Sequence, residues 1–443
     1  MAVATAIGES AIGMIRVSGA DAVAIVAPLL DTALPLVAFP SHALRRVGVV
    51  DPKIGERVDT ALCAVMRAPR SYTGEDVVEL SCHGSPALLR LILQWLAAGG
   101  ARLATPGEFT RRAFLNGRLD LAQAEAVALM IGARTDRAVS LAARALAGGL
   151  SKQVRALQAR LVDVIAGFEV TLDFPEEALA HDVESARMAV RELRVEVERW
   201  LEAARHGRVV HSGLTMALVG PPNAGKSSLL NALVGQDRAI VSDVPGTTRD
   251  IVEGAIVLAG VPVRLLDTAG IEAPHDEIEA EGIRRSRRAM DESDLLLVVL
   301  DGSIEPDKLV LAETAGRPRV LVRMKCDLQA HQAATALSGA QPASALTGEG
   351  MEALRHYLTQ EVEIRTGVEG EEGQIVASVR QIELLESLRE ELAAAEGALG
   401  DAAPLEAVLV DLNGALGSVG KILGVDISEV VLDRIFAAFC LGK

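Results

Sequence analysis

The chain has 443 residues, a formal net charge of −16, 50% hydrophobic residues and only 2% aromatics. That length exceeds one ordinary core and predicts roughly two to four domains, and an apolar quota carried by alanine and leucine favours helices over a sandwich. The acidic balance excludes a protein that coats nucleic acid nonspecifically, because neutralising phosphates needs clustered cations.

Residues 1–118 mix short β-rich runs (14–18, 47–50, 60–66, 77–81) with a helical pattern over 86–98, which predicts an α+β domain. This stretch is close to charge balance and holds Arg111, Arg112 and Arg118 near one another, so any RNA contact is expected here rather than further along. From 119 to 211 the texture changes to alanine-rich helices at 121–133, 137–147, 151–172 and 183–204, broken at Gly148-Gly149 and Asp173-Phe174-Pro175. The same texture returns over 368–443, at 379–399, 405–416 and 428–439, after an acidic linker around Glu369 to Gly373. The expectation is an α/β and α multidomain chain, with a domain at 212–367 inserted into one discontinuous helical domain. Two separate helical domains are the alternative, since local periodicity does not tell which helices meet. Cys63, Cys82, Cys326 and Cys440 lack C-x-x-C spacing, so neither a zinc site nor a disulfide framework is indicated. No basic n-region precedes an apolar core and no apolar run is long enough to span a bilayer, which predicts a reduced, cytoplasmic protein.

The inserted domain carries the chemistry. Gly220-Pro221-Pro222-Asn223-Ala224-Gly225-Lys226-Ser227-Ser228 fits G-x-x-x-x-G-K-[ST], the apolar run 214–219 reads as a buried strand, and 228–233 open a helix. Glycines let the backbone fold so that several N–H groups and a helix end face phosphates, which Lys226 also reaches while the Ser227 hydroxyl takes Mg²⁺. Val244-Pro245-Gly246-Thr247-Thr248-Arg249-Asp250 follows, with Thr248 the candidate for Mg²⁺ and the γ-phosphate. Asp267-Thr268-Ala269-Gly270 ends the next strand as a D-x-x-G element, in which Asp267 would hold Mg²⁺ through water and the Gly270 N–H would meet the γ-phosphate.

Base recognition is expected from Met324-Lys325-Cys326-Asp327, where Asp327 would accept from the guanine N1–H and amino group. The usual pattern is N-K-x-D, and Met324 replaces the asparagine; one lost hydrogen bond is worth about 1 kcal/mol, without reversing specificity. Ser344-Ala345-Leu346 matches the last base-contacting loop. The residue after Gly270 is Ile271, so the glutamine that orients water in Ras-like switches is missing. An arginine finger supplies roughly 10³ to 10⁵ in rate, so another charge must act in its place. A monovalent cation held by Asn223, or Arg249, are the candidates; a turn residue and a solvated loop charge are their plain readings.

These motifs in order, with Ser71-Tyr72-Thr73-Gly74-Glu75-Asp76, Pro106-Gly107-Glu108-Phe109-Thr110-Arg111-Arg112 and the terminal Phe439-Cys440-Leu441-Gly442-Lys443, resemble the MnmE (TrmE) family of tRNA-modification GTPases. The resemblance covers essentially the whole chain. It implies a homodimer joined through N-terminal domains like folate-binding aminomethyltransferase modules, with a G domain carried by a helical domain. It also implies action with the FAD-dependent protein MnmG and a tetrahydrofolate-derived carbon at C5 of the wobble uridine of certain tRNAs.

By position, the resemblance maps nucleotide contacts onto Asn223 to Ser228, Ser242, Asp243 and the 244–248 loop, and K⁺ ligands onto Asn223, Ser242, Val244 and Thr247. A water-positioning glutamate falls at Glu279, otherwise one acid of a solvated helix face. Folate contacts fall on Arg16, Glu79, Arg118 and Lys443, where Arg118 stands in place of a common lysine. Cys440 corresponds to a cysteine considered functional in the family, and its plain reading is a buried helix cysteine. The turn Ala6-Ile7-Gly8-Glu9-Ser10-Ala11-Ile12-Gly13 departs from the family's P-P-G-R-G-A-I-G, putting Glu9 in place of a basic residue. His83 reads as structural, since no carboxylate partner can be assigned to it from sequence. The competing reading is a guanine-nucleotide switch for RNA or ribosome assembly without folate chemistry.

Overall fold

The computed structural model describes residues 1–173, 183–236, 254–268, 284, 286–367, 375, 377–401, 403–425 and 427–442. They form two compact units: residues 1–128, 144–197 and 383–443 in one, and residues 129–143 and 198–382 in the other.

The first unit contains an antiparallel sheet of β1 (Ala2–Val3), β2 (Ser10–Ser18), β3 (Leu30–Asp31), β4 (Leu44–Val50), β5 (Arg57–Met66) and β6 (Val77–Gly84), in the order β1-β2-β6-β5-β4-β3. Alternation decides its faces. Ile15, Val17, Val78 and Leu80 point into a core completed by Leu89, Ile92 and Leu96 of the helix Pro86–Ala98. Arg16 and Glu79, paired across β2 and β6, lie on the other face. Gly13 lets that helix approach β2 closely, because a side chain there would begin 2.5 Å from a Leu89 methyl group and would make it shift.

In the helical part of this unit, Gly149–Asp173 buries Leu150, Val154, Leu157, Leu161, Ile165 and Phe168, a stripe at helical spacing. It packs on Leu405–Leu423, which buries Val408, Leu412, Ala415, Val419 and Ile422. Helices from before and after the inserted segment thus share one core. The helical domain is discontinuous, and the alternative of two separate ones is set aside. Arg194 donates to Glu396 at 2.7 Å, tying the same two chain segments. Leu405–Leu423 also runs about two turns beyond the predicted 405–416, through Gly417 and Gly420, with Gly414 inside the predicted span. Each glycine costs a helix up to about 1 kcal/mol, but Gly414 lets Glu391 approach to 3.2 Å of where its side chain would start.

The second unit holds β7 (Leu214–Val219), β8 (Gly254–Leu258), β9 (Val261–Asp267), β10 (Leu295–Asp301), β11 (Arg319–Met324) and β12 (Gln341–Ala343), ordered β12-β11-β10-β7-β9-β8. All pairings are parallel except the β8–β9 hairpin. β10 is buried along its whole length, as a parallel strand covered on both faces must be. Functional groups therefore collect where parallel strands end, at their carboxyl edge.

Candidate nucleotide-binding site

β7 leads into the loop 220–225 and the helix Lys226–Gln236. Gly220 is forced by its neighbour, since a side chain would start 2.2 Å from the Val299 carbonyl oxygen. Asn223 (φ 60) and Gly225 (φ +100) turn the chain in left-handed conformations. This coil leads into the N-terminus of the helix, where Lys226 is the first residue. Lys226 is buried and donates to the Gly220 and Pro221 carbonyls at 3.0 and 2.9 Å. Burial pulls the pKa of its ammonium below the usual lysine range, against the pull of Asp267. A cation held on backbone oxygens across the loop mouth is poised to exchange them for phosphate oxygens.

Ser227 Oγ donates to Asp267 Oδ2 at 2.7 Å, linking the first turn of the helix Lys226–Gln236 to the end of β9. The other carboxylate oxygen, Asp267 Oδ1, is buried without a partner among the described residues. A hydroxyl beside a carboxylate with an unused buried oxygen fits an oxygen-loving divalent cation, so Ser227 and Asp267 suit Mg²⁺; when bound, that ion neutralises charge on the nucleotide's phosphates. Thr268 is buried and its hydroxyl donates to the Leu218 carbonyl at 2.6 Å, which locks the D-x-x-G element onto β7.

The residues expected to face the base lie two strands away. β11 ends at Met324, after which Lys325 turns at φ 59 and donates to Asp301 at 2.5 Å. Asp327 is exposed. The Cys326 N–H donates to the Ala343 carbonyl at 3.3 Å, which sets the loop of Lys325 and Asp327 against the loop opened by buried Ser344. Ser344 Oγ accepts from the Thr347 N–H at 3.2 Å and rigidifies that loop, Ala345 is half-buried, and Leu346 projects outward.

Ser242, Asp243, Val244, Pro245, Gly246, Thr247, Thr248, Arg249, Ala269, Gly270, Glu279 and Lys443 lie outside the described residues.

In the first unit, Arg16 Nε donates to Glu79 at 2.7 Å and Nη1 to the Gly442 carbonyl at 3.1 Å. Its guanidinium stands 5.8 and 5.6 Å from the ring centres of Tyr72 and Phe109. Two of the residues that sequence grouped are thus joined, and the C-terminal tail is brought to them. Arg118 is exposed, its stem against Gly74. Cys440 is exposed beyond the helix Glu429–Ala437, which replaces the buried-helix reading. The altered N-terminal turn is open: Ile7 is exposed and nothing lies within 4 Å of where a side chain on Gly8 would begin.

His83 does have a carboxylate partner. Its Nδ1 lies 2.6 Å from Asp59 Oδ1, and its backbone N–H donates to Asp59 Oδ2 at 3.0 Å. The pair joins residues 24 apart on neighbouring strands, so no local motif announces it. Burial works against the Asp59 carboxylate, but the bonds from His83 and Thr60 outweigh it and hold the group below its usual range.

Strand, loop and helix around Lys226, the Ser227–Asp267 pair and the base-facing loops define the second unit as a P-loop nucleotide hydrolase domain. The sequence profile described as GTP-binding protein TrmE N-terminus matches residues 1–118, and the one described as MnmE helical domain matches 121–440. A protein of Moorella thermoacetica named tRNA modification GTPase MnmE is 42% identical over 100% of this chain and 98% of its own length. One of the same name from Synechococcus sp. (strain JA-3-3Ab) is 41% identical over 100% of this chain and 97% of its own. Among solved structures, Aquifex aeolicus Era bound to GDP.AlF4- matches 40% of this chain and 66% of that one at 23% identity, with a TM-score of 0.29. The chain belongs to the MnmE family of tRNA modification GTPases and is an enzyme that hydrolyses GTP.

Proposed function

We propose that this enzyme is a K⁺-stimulated GTPase which, as a cytoplasmic homodimer with a FAD-dependent MnmG-type partner, builds an aminomethyl-type group (carboxymethylaminomethyl) onto C5 of the wobble uridine of certain tRNAs. The observation that carries the reading is the full-length relationship to the tRNA modification GTPases. In this reading residues 1–118 bind a tetrahydrofolate derivative and dimerise, 119–211 and 368–443 form the helical domain, and 212–367 the Ras-like G domain. Among the described residues no helix is long and apolar enough to cross a membrane.

The left-handed Asn223 at the rim of the phosphate loop supports a monovalent-cation role. It would hold K⁺ together with Ser242, Val244 and Thr247, and that charge would stand where other switches use an arginine finger. Arg249 and Glu279 complete the proposed hydrolytic set, with Thr248 on Mg²⁺ beside Ser227. For folate, Glu79 would accept from the donor edge of a pterin, while Arg118 and Lys443 would meet the glutamyl carboxylates. Arg16, held by Glu79 and flanked by two rings, would position that carboxylate. Cys440, exposed beside this region of the tail, is the proposed reactive thiol.

GTP turnover in KCl against NaCl, with Asn223→Ala as control, tests the cation claim. Stimulation by K⁺ that disappears in the variant is expected; equal, slow rates in both salts would remove the cation mechanism.

A further inference from the structure

Met324 occupies the position where guanine-nucleotide switches usually carry an asparagine, and the structure shows what it touches. It is 2% exposed. Its Cβ, Cγ and Cε each lie 3.7 Å from the point where a side chain on Gly225 would begin. Gly225 has φ +100, a conformation that favours glycine, and the methionine bounds the space into which a side chain there would point. An unbranched, polarizable thioether suits such an irregular gap. One residue later Lys325 is tied to Asp301, and Asp327 follows. A stretch of four residues thus rests on the phosphate loop at one end and carries the base contact at the other.

We infer that Met324 is a positioning residue for the phosphate loop: its apolar side chain lines the space over Gly225, where an amide is usual, and so couples the base loop to the phosphates. The contact is dispersive and depends on filled volume rather than polarity. A one-sided gap at this point leaves the loop free to relax away from the geometry that its N–H groups need.

The test is the graded series Met324→Leu, Met324→Val and Met324→Ala in the full chain, with GDP and IDP affinity measured by titration and nucleotide-free melting recorded for each. Leucine conserves volume and is expected to hold GDP within about twofold of the parent. Valine should weaken it and alanine should raise the GDP dissociation constant on the order of tenfold. The ratio of GDP to IDP affinity, read through Asp327, should stay constant across the series. If alanine does not fold, the leucine–valine step carries the comparison. A flat series, a leucine variant as weak as the smaller ones, or a loss that appears as changed preference between GDP and IDP would overturn the inference.

Discussion

Glu108, in the Pro106-Gly107-Glu108-Phe109 stretch, is 9% exposed and anchors a charged network in the first unit. Its carboxylate accepts from Arg102 at 2.8 and 2.6 Å, from Arg112 at 3.1 and 2.7 Å, and from the Thr105 N–H at 2.9 Å. Burial pushes the carboxyl up, but the bonds from Arg102 and Arg112 prevail and bring it from 4.5 down to about 2. That difference corresponds to about 3 kcal/mol; because the Arg102 side chain is 67% exposed, solvent screening leaves about 2 kcal/mol. The folded value is depressed, so this stability is fully present above pH 4.5 and is lost as pH falls from there through about 2. Glu108→Gln keeps the shape and removes the charge. In a Trp200→Phe background, Trp95, packed against the sheet core, reports urea unfolding of this unit. The variant is expected to lose about 2 kcal/mol at neutral pH, and the deficit should shrink on acidification below the usual glutamate range. No deficit at neutral pH, or one that persists undiminished in acid, would refute the electrostatic reasoning.

Gly220→Ala drives a side chain to within 2.2 Å of the Val299 carbonyl, so GTP binding should fall at least about tenfold in isothermal titration while Trp95 unfolding stays unchanged. Burial pushes the Cys63 and Cys82 thiols up to about 12. Alkylation of the native protein followed by mass spectrometry should therefore mark exposed Cys440 first and leave those two untouched until unfolding. With Nδ1 of His83 on Asp59, nitrogen NMR should find the neutral imidazole protonated at Nδ1, and Asp59→Asn should abolish that preference.

The phosphate loop was legible because a short run of Gly, Lys and Ser imposes its own backbone. Strand, turn and helix are contiguous, and the structure sets Lys226 on the Gly220 carbonyl and Ser227 on Asp267. The helical texture of 151–172 was legible from its apolar stripe, and the helix spans Gly149–Asp173. Pairing across distance was not. Nothing local joins Asp59 to His83, and the sequence reading left that histidine without a partner. Periodicity also stopped the 405–416 helix at its glycines, where packing on Gly149–Asp173 carries it to Leu423. Met324 was visible as a departure, but its contact with Gly225 depends on two segments about a hundred residues apart meeting at the edge of a parallel sheet.

The most direct test of the proposed activity is reconstitution. The purified enzyme, a FAD-dependent MnmG-type partner, GTP, K⁺ and methylene-tetrahydrofolate are incubated with tRNA lacking wobble modification, and the nucleosides are then analysed by mass spectrometry. The expected result is a new aminomethyl-type uridine at the wobble position that requires GTP, folate and an intact Lys226. Sustained GTP hydrolysis with unmodified uridine under conditions where a related tRNA modification GTPase forms the product would contradict the account and leave a guanine-nucleotide switch in its place.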